Sequence, residues 1–217
     1  MDKVPTNKRG LVTSQDVSLD KEYELMSEGI AIVGLNGSGK STLGHALAKE
    51  LNYYEIDVED YYFPEQKESR RAALDGVYGG NLDYLGNMPY SVSRTKEEVE
   101  EGIAKDIAAH PRYILTGVTI NWSEEILSTI KKVFWLKTGT DERVRRVKDR
   151  EEKRWGDRVA EGGDMYEQQK SFRDLIAGFT DEKVKDSIGK INCGVIELDG
   201  TLPVHRNVEI IKKWIQL

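Results

Sequence analysis

The residues best placed to do chemistry are Gly34-Leu35-Asn36-Gly37-Ser38-Gly39-Lys40-Ser41-Thr42. Four apolar residues, Ile30 to Val33, precede them as a short buried strand, and from Lys40 apolar positions return at helical spacing through Leu43, Leu47 and Leu51. Strand, glycine loop and helix are the context that gives a G-x-x-x-x-G-K-[ST] match its meaning as a phosphate cradle. Gly34, Gly37 and Gly39 free the backbone so that the N–H groups of Asn36, Gly37 and Ser38 can converge on one anion. The helix opening at Lys40 adds partial positive charge there. Lys40 is expected to reach the β- and γ-phosphates of ATP and the Ser41 hydroxyl to ligate Mg2+. Thr42 would satisfy a backbone group or touch a phosphate nearer the sugar.

Other residues with chemical potential are placed by the elements around them. Residues 53–56 read as a second strand, followed by Asp57-Val58-Glu59-Asp60-Tyr61-Tyr62-Phe63. That puts Asp57 and Asp60 outside the carboxyl edge of a parallel sheet, where α/β proteins hold ligands, while Glu59 reads as a solvated acid. Glu65–Leu74 predicts a helix carrying Arg70 and Arg71. Residues 76–93, rich in Gly and Asn, predict a long irregular loop. A firmer helix runs over 95–109, capped by Thr95 or Ser93. Tyr113–Val118 reads as the third strand, 123–130 as a short helix, and Val133–Leu136 as the fourth strand. A helix opens at Thr140-Asp141-Glu142, another spans 165–179, a fifth strand covers Val195–Leu198, and an amphipathic helix runs from Val204 to Ile215.

Arg143, Arg145, Arg146, Arg150, Arg154 and Arg158 crowd one segment, interleaved with acids and followed by Gly156, Gly162 and Gly163. Individually most would be i,i+4 partners on a solvated helix. As a series between glycines they predict a lid over about 143–166 that closes on phosphates, with Arg150, Arg154 and Arg158 along one edge.

Composition sets the outer bounds. The 217 residues suit one α/β domain after an N-terminal extension at 1–28, in which Leu19–Met26 carries a weak strand or helix signal. A net charge of -6 argues against nucleic acid as the main ligand. The lone cysteine, Cys193, fits a reducing compartment and a structural role, and the absence of an apolar leader or spanning stretch points to the cytoplasm. Monomer and dimer both remain open.

The chain resembles P-loop kinases of the adenylate kinase and shikimate kinase group. The glycine loop, the acidic IDVEDYY turn, the arginine series and the Asp199-Gly200-Thr201 turn carry the likeness across most of residues 30–215. SVSRTKEEVEE, REEKRWGDRV and EGGDMYEQ are similar to a narrower bacterial set described only as AAA-type or adenylate-kinase-like ATP-binding proteins. The resemblance implies a three-layer α/β P-loop NTPase fold, a five-stranded parallel sheet flanked by helices, with a small helical lid and residues 29–217 as one domain. It implies that Asp199, Gly200 and Thr201 pack against adenine, and that Asp57 or Asp60 holds the acceptor or Mg2+ or draws the acceptor's proton. Arg150 and Arg154 would approach the phosphates; by position, Arg70, Tyr90 and Arg94 would line the site of a small-molecule acceptor of unknown identity. One departure stands out: the third strand ends Leu115-Thr116-Gly117-Val118, without the acid that steadies Mg2+ in many P-loop enzymes. That absence puts strong independent ATPase activity in doubt, removes the oligomeric AAA machine reading, and supports a rival in which the chain senses ATP without transferring phosphate.

Overall fold

The computed structural model describes residues 28–78 and 88–215; the expectations for 1–27 and for most of the loop between 79 and 87 fall outside them. Five strands form one parallel sheet: β1 (Glu28–Val33), β2 (Tyr54–Asp57), β3 (Arg112–Gly117), β4 (Ile130–Lys137) and β5 (Val195–Asp199). Their order across the sheet is β2-β3-β1-β4-β5, so β1 lies at the centre and the chain reverses direction of winding beside it. That reversal opens a crevice at the carboxyl end of β1, where the glycine loop emerges.

Alternation along the central strands explains why the sheet needs helices on both sides. On one face Ile30, Ile32, Ile114, Phe134, Leu136 and Leu198 meet helices α1 (Lys40–Leu51) and α9 (Val204–Ile215) through Leu43, Leu47, Val208 and Ile211. On the other, Ala31, Val33, Leu115, Val133 and Trp135 pack with α4 (Lys96–Ala109) and α5 (Glu124–Thr129) through Val99, Ile103, Ile107 and Ile126. The result is the expected three-layer α/β arrangement.

Between β2 and α4 lie α2 (Val58–Tyr62), a 3-10 turn at Pro64–Gln66 and α3 (Lys67–Leu74). Thr95, not Ser93, caps α4: its hydroxyl accepts from the Glu98 N–H at 3.2 Å while the Glu98 carboxylate accepts from the Thr95 N–H at 2.8 Å. After β4 come α6 (Thr140–Trp155), a second 3-10 turn (Gly156–Val159), α7 (Tyr166–Ala177) and α8 (Glu182–Ile188). The α8 segment carries no strong pattern in the sequence, and its Val184 closes the cluster beneath β4. Cys193 is half-buried against that cluster, and burial pushes its thiol up, in keeping with a structural role. No described helix is long and apolar enough to cross a membrane.

Candidate active site

One cleft of about 420 Å³ lies over the carboxyl ends of β1 and β2. Its floor is Asn36 to Thr42, the loop and first turn of α1, which carries no side-chain cap at its N-terminus and so leaves its N–H groups free for a ligand. The loop can make this turn only because Gly37 (φ 81°) and Gly39 (φ 101°) sit in the left-handed region; a Cβ on Gly37 would also collide with the Arg143 carbonyl oxygen. Lys40 Nζ folds back to donate to the Leu35 carbonyl at 3.3 Å. Burial draws its ammonium down to about 8, against the opposing pull of Glu59 and Asp57.

The wall opposite is built on a buried guanidinium. Arg70, on α3, donates from Nη2 to Asp57 Oδ2 at 2.8 Å, from Nε to Asp60 Oδ1 at 2.8 Å, and from Nη1 to Glu59. Arg71 takes the other Asp60 oxygen at 2.8 Å and pairs with Glu55, which in turn meets His45 Nδ1 at 2.8 Å. Asp57 also caps α2, its Oδ1 accepting from the Glu59 N–H at 3.1 Å. The expected acidic turn is therefore a capped helix, and its acids face inward. Glu59, read from the sequence as a solvated acid, instead lines the cleft. Burial would raise its carboxyl, but Arg70, Arg150 and Lys40 outweigh that and hold it at about 2.

The third side is α6. Arg143, although part of the arginine series, lies beneath the glycine loop: it is buried and donates to the carbonyls of Asn36 at 3.2 Å and Ile176 at 3.3 Å. Arg146 ties the loop to the Asp199-Gly200-Thr201 turn, donating to Ser38 O at 3.1 Å and Gly200 O at 2.9 Å. Both anchor α6, so a lid beginning at 143 is corrected: the first half of this helix supports the cradle. The series facing the cleft is Arg146, Arg150 and Arg154, one turn earlier than expected. The helix stops at Trp155, Gly156 turns the chain (φ 55°), and Arg158 pairs with Asp164 at 2.7 Å away from the cleft.

Arg154 is buried, yet its partners are neutral hydroxyls, Tyr90 at 2.6 Å and Ser69 at 2.9 Å. Arg150 makes no hydrogen bond or ion pair with any described residue, and its charge acts on both Lys40 and Glu59. Tyr90 thus joins the site through Arg154, whereas Arg94 is exposed and meets Tyr62 only through its backbone N–H. Gly200 closes the near end: its N–H donates to Lys137 O at 2.7 Å, and a Cβ there would collide with Thr138 Oγ1. Asp199 folds onto its own turn, accepting from the Thr201 N–H at 2.8 Å and hydroxyl at 2.6 Å. Arg146, Lys153, Leu202, Val204 and Asn207 also line the cleft, as does Asp149 beside the arginine series; of these only the spacing of Arg146 from Arg150 offered a sequence signal.

Strand order, glycine loop and arginine-lined cleft together define a P-loop kinase fold of the adenylate kinase and shikimate kinase group. The chain belongs to the AAA domain family whose model matches residues 30–165. The Bacillus subtilis (strain 168) protein YqaC, itself described as uncharacterized, is 24% identical over 198 residues, spanning 88% of this chain and 98% of that one. A shikimate kinase from Bacteroides thetaiotaomicron superposes with a TM-score of 0.51 at 19% identity, over 88% of this chain and 99% of its own. A gluconokinase from Sinorhizobium meliloti 1021 gives 0.47 at 15% identity, over 85% and 89%. At 19% identity the likeness to the shikimate kinase establishes the fold alone; the chemistry must be argued from the cleft.

Proposed function

We propose that this protein transfers the γ-phosphoryl group of ATP to a hydroxyl of a small acceptor that itself carries an anionic group. The observation that carries this reading is the pairing, across one cleft, of the amide cradle and Lys40 with two arginines that lack carboxylate partners among the described residues, Arg150 and Arg154.

Phosphoryl transfer asks mainly for alignment and charge neutralisation. The loop amides and Lys40 hold the β- and γ-phosphates, while Arg150 neutralises charge spreading over the equatorial oxygens. Arg154, further along the helix and bonded among the described residues to the Tyr90 and Ser69 hydroxyls, holds the acceptor's anionic group by a charge-assisted bond. The Ser41 hydroxyl and the Asp57 carboxylate line the same cleft and are the hard oxygen donors that suit Mg2+. When bound with nucleotide, that ion offsets phosphate charge. Asp60 acts as a positioning carboxylate, since both its oxygens fix arginines. Asp57 is the acid closest in role to a proton acceptor or metal ligand, and Arg70 Nη2 holds its Oδ2 in place at 2.8 Å.

The test is acceptor-dependent ADP release by purified protein with Mg2+ and ATP, across nucleoside monophosphates, hydroxy acids and sugar acids with neutral polyols as controls. Release with an anionic acceptor, abolished in Lys40→Ala, is the expected result. Tight ATP binding without acceptor dependence across the panel supports the sensor reading instead, which the Thr116 end of β3 favours because that strand ends without an acid to steady a metal.

A further inference from the structure

Asn207 sits in the first turn of α9 and is 3% exposed. Its Nδ2 donates to the Asp199 carbonyl at 2.9 Å. Because that oxygen can only accept, the carboxamide's orientation is fixed, with Oδ1 on the other side. Oδ1 is buried and has no hydrogen-bond partner. A buried acceptor left open in a native fold calls for an explanation, since leaving it unpaired is unfavourable. The neighbouring apolar positions of the same helix, Val208 and Ile211, show that this layer accepts aliphatic side chains, so packing alone does not require an amide here. Asn207 also lines the cleft together with Gly200, Leu202 and Val204, and Arg146 joins the same lining, its Nη2 donating to Gly200 O at 2.9 Å. Two exposed aliphatic side chains and a guanidinium suit the faces of a flat ring, and the amide oxygen offers one acceptor at its edge.

We propose that Asn207 selects the nucleotide base, its Oδ1 accepting from the exocyclic amino group of a 6-aminopurine. A 6-oxopurine would present an oxygen to that oxygen, leaving both unpaired, so guanine is disfavoured by the same atom that accepts adenine. The proposal rests on the nucleotide-binding reading above and adds the residue that discriminates among bases.

Equilibrium binding of ATP, GTP and purine riboside 5′-triphosphate, which lacks the 6-amino group, tests it on wild type and on Asn207→Leu. Wild type is expected to bind ATP about tenfold more tightly than the purine analogue, the worth of roughly one net hydrogen bond. In Asn207→Leu that ratio should fall to about twofold or less, with a matching loss of preference over GTP. Removing the Nδ2 bond to Asp199 weakens every nucleotide alike, so the ratio isolates Oδ1. An unchanged ratio in the variant, or no discrimination in wild type, overturns the proposal while leaving nucleotide binding intact; failure of wild type to bind any of the three overturns both. Should Asn207→Leu not fold, a crystal structure of wild type with a non-hydrolysable ATP analogue decides. Oδ1 within about 3.2 Å of the 6-amino nitrogen supports base selection, and Oδ1 facing a water or a protein group instead overturns it.

Discussion

Arg154 Nη1 lies 2.6 Å from the Tyr90 hydroxyl, so the most buried cation on the lid side of the cleft is held by a neutral group. The Tyr90 and Trp155 rings flank it, with the guanidinium carbon 5.8 and 4.8 Å from their centroids. Aromatic faces and hydroxyls orient the charge without cancelling it, which leaves it available to an anion.

Arg154→Ala should therefore lower kcat/KM for the acceptor by about 100-fold or more while changing ATP affinity by less than about threefold, a loss in line with one charge-assisted contact of about 3 kcal/mol. Steady-state kinetics paired with ATP titration checks it. Unaltered turnover would remove Arg154 from the transfer site.

Arg150→Ala separates the two arginine roles. Its charge acts on Lys40 and Glu59, so its loss should appear in kcat, on the order of 10³ if it meets the transferred group as an arginine finger does. A change confined to acceptor KM would instead assign it to acceptor binding.

Lys40 gives the pH signature. Its ammonium is drawn down to about 8 in the free protein by burial, and bound phosphates would restore the charged form. ATP affinity should thus decline as pH rises through about 8, because an increasing share of the free protein must first take up a proton. Titration calorimetry at pH 8 in buffers of different ionisation enthalpy should reveal proton uptake on binding, absent in Lys40→Met. The same shift makes folding stability rise from about pH 8 towards 10.5, where the unfolded chain still binds the proton that the folded chain has released.

Much of this was readable in the chain because the physics involved is local. Short apolar runs marked β1, β3, β4 and β5, and the spacing of Gly34, Gly39 and Lys40 marked the cradle. Less legible were features set by tertiary partners. Glu59 looks solvated until Arg70, eleven residues on, is folded back onto it by α3. Arg143 and Arg150 are the same residue type on nearly the same side of one helix, yet about two turns of rise along its axis put one under the loop and the other over the cleft. Asn207 gave no sign at all, since its meaning lies in which of its two amide atoms is already occupied.

The Arg70 cluster predicts a conditional stability. Asp57, Asp60 and Glu59 converge on that one guanidinium, so Arg70→Met leaves acids crowded with their main counter-charge gone. Breaking a buried pair in this way should cost about 3–5 kcal/mol, read as a lowered urea midpoint at pH 7, and the deficit should shrink as the carboxylates protonate on acidification. In wild type, Glu59, held at about 2, stabilises the fold fully above about 4.5 and loses that contribution as pH falls through 2. Glu59→Gln should flatten this part of the acid-denaturation profile; an unchanged profile would place the pairing outside the folding equilibrium.

Thr116 occupies the end of β3 where an acid would have steadied the metal, and it pairs in register with Asp57 of β2. Its side chain is fully buried, its methyl rests against Gly44, and its hydroxyl has no partner. Thr116→Val keeps the shape and removes an unsatisfied group, so it should be neutral or stabilising by up to about 1 kcal/mol and leave acceptor-dependent turnover unchanged. Thr116→Asp, by contrast, would bury a second carboxylate in a space shaped for a methyl, directly across from Asp57, its partner in the β2–β3 register. It should destabilise the protein by several kcal/mol without increasing ATP hydrolysis. A Thr116→Asp variant that folds as wild type and hydrolyses ATP faster would mean the β3 end is a vacant metal position after all, and that Asp57 alone does not complete the cation's contacts.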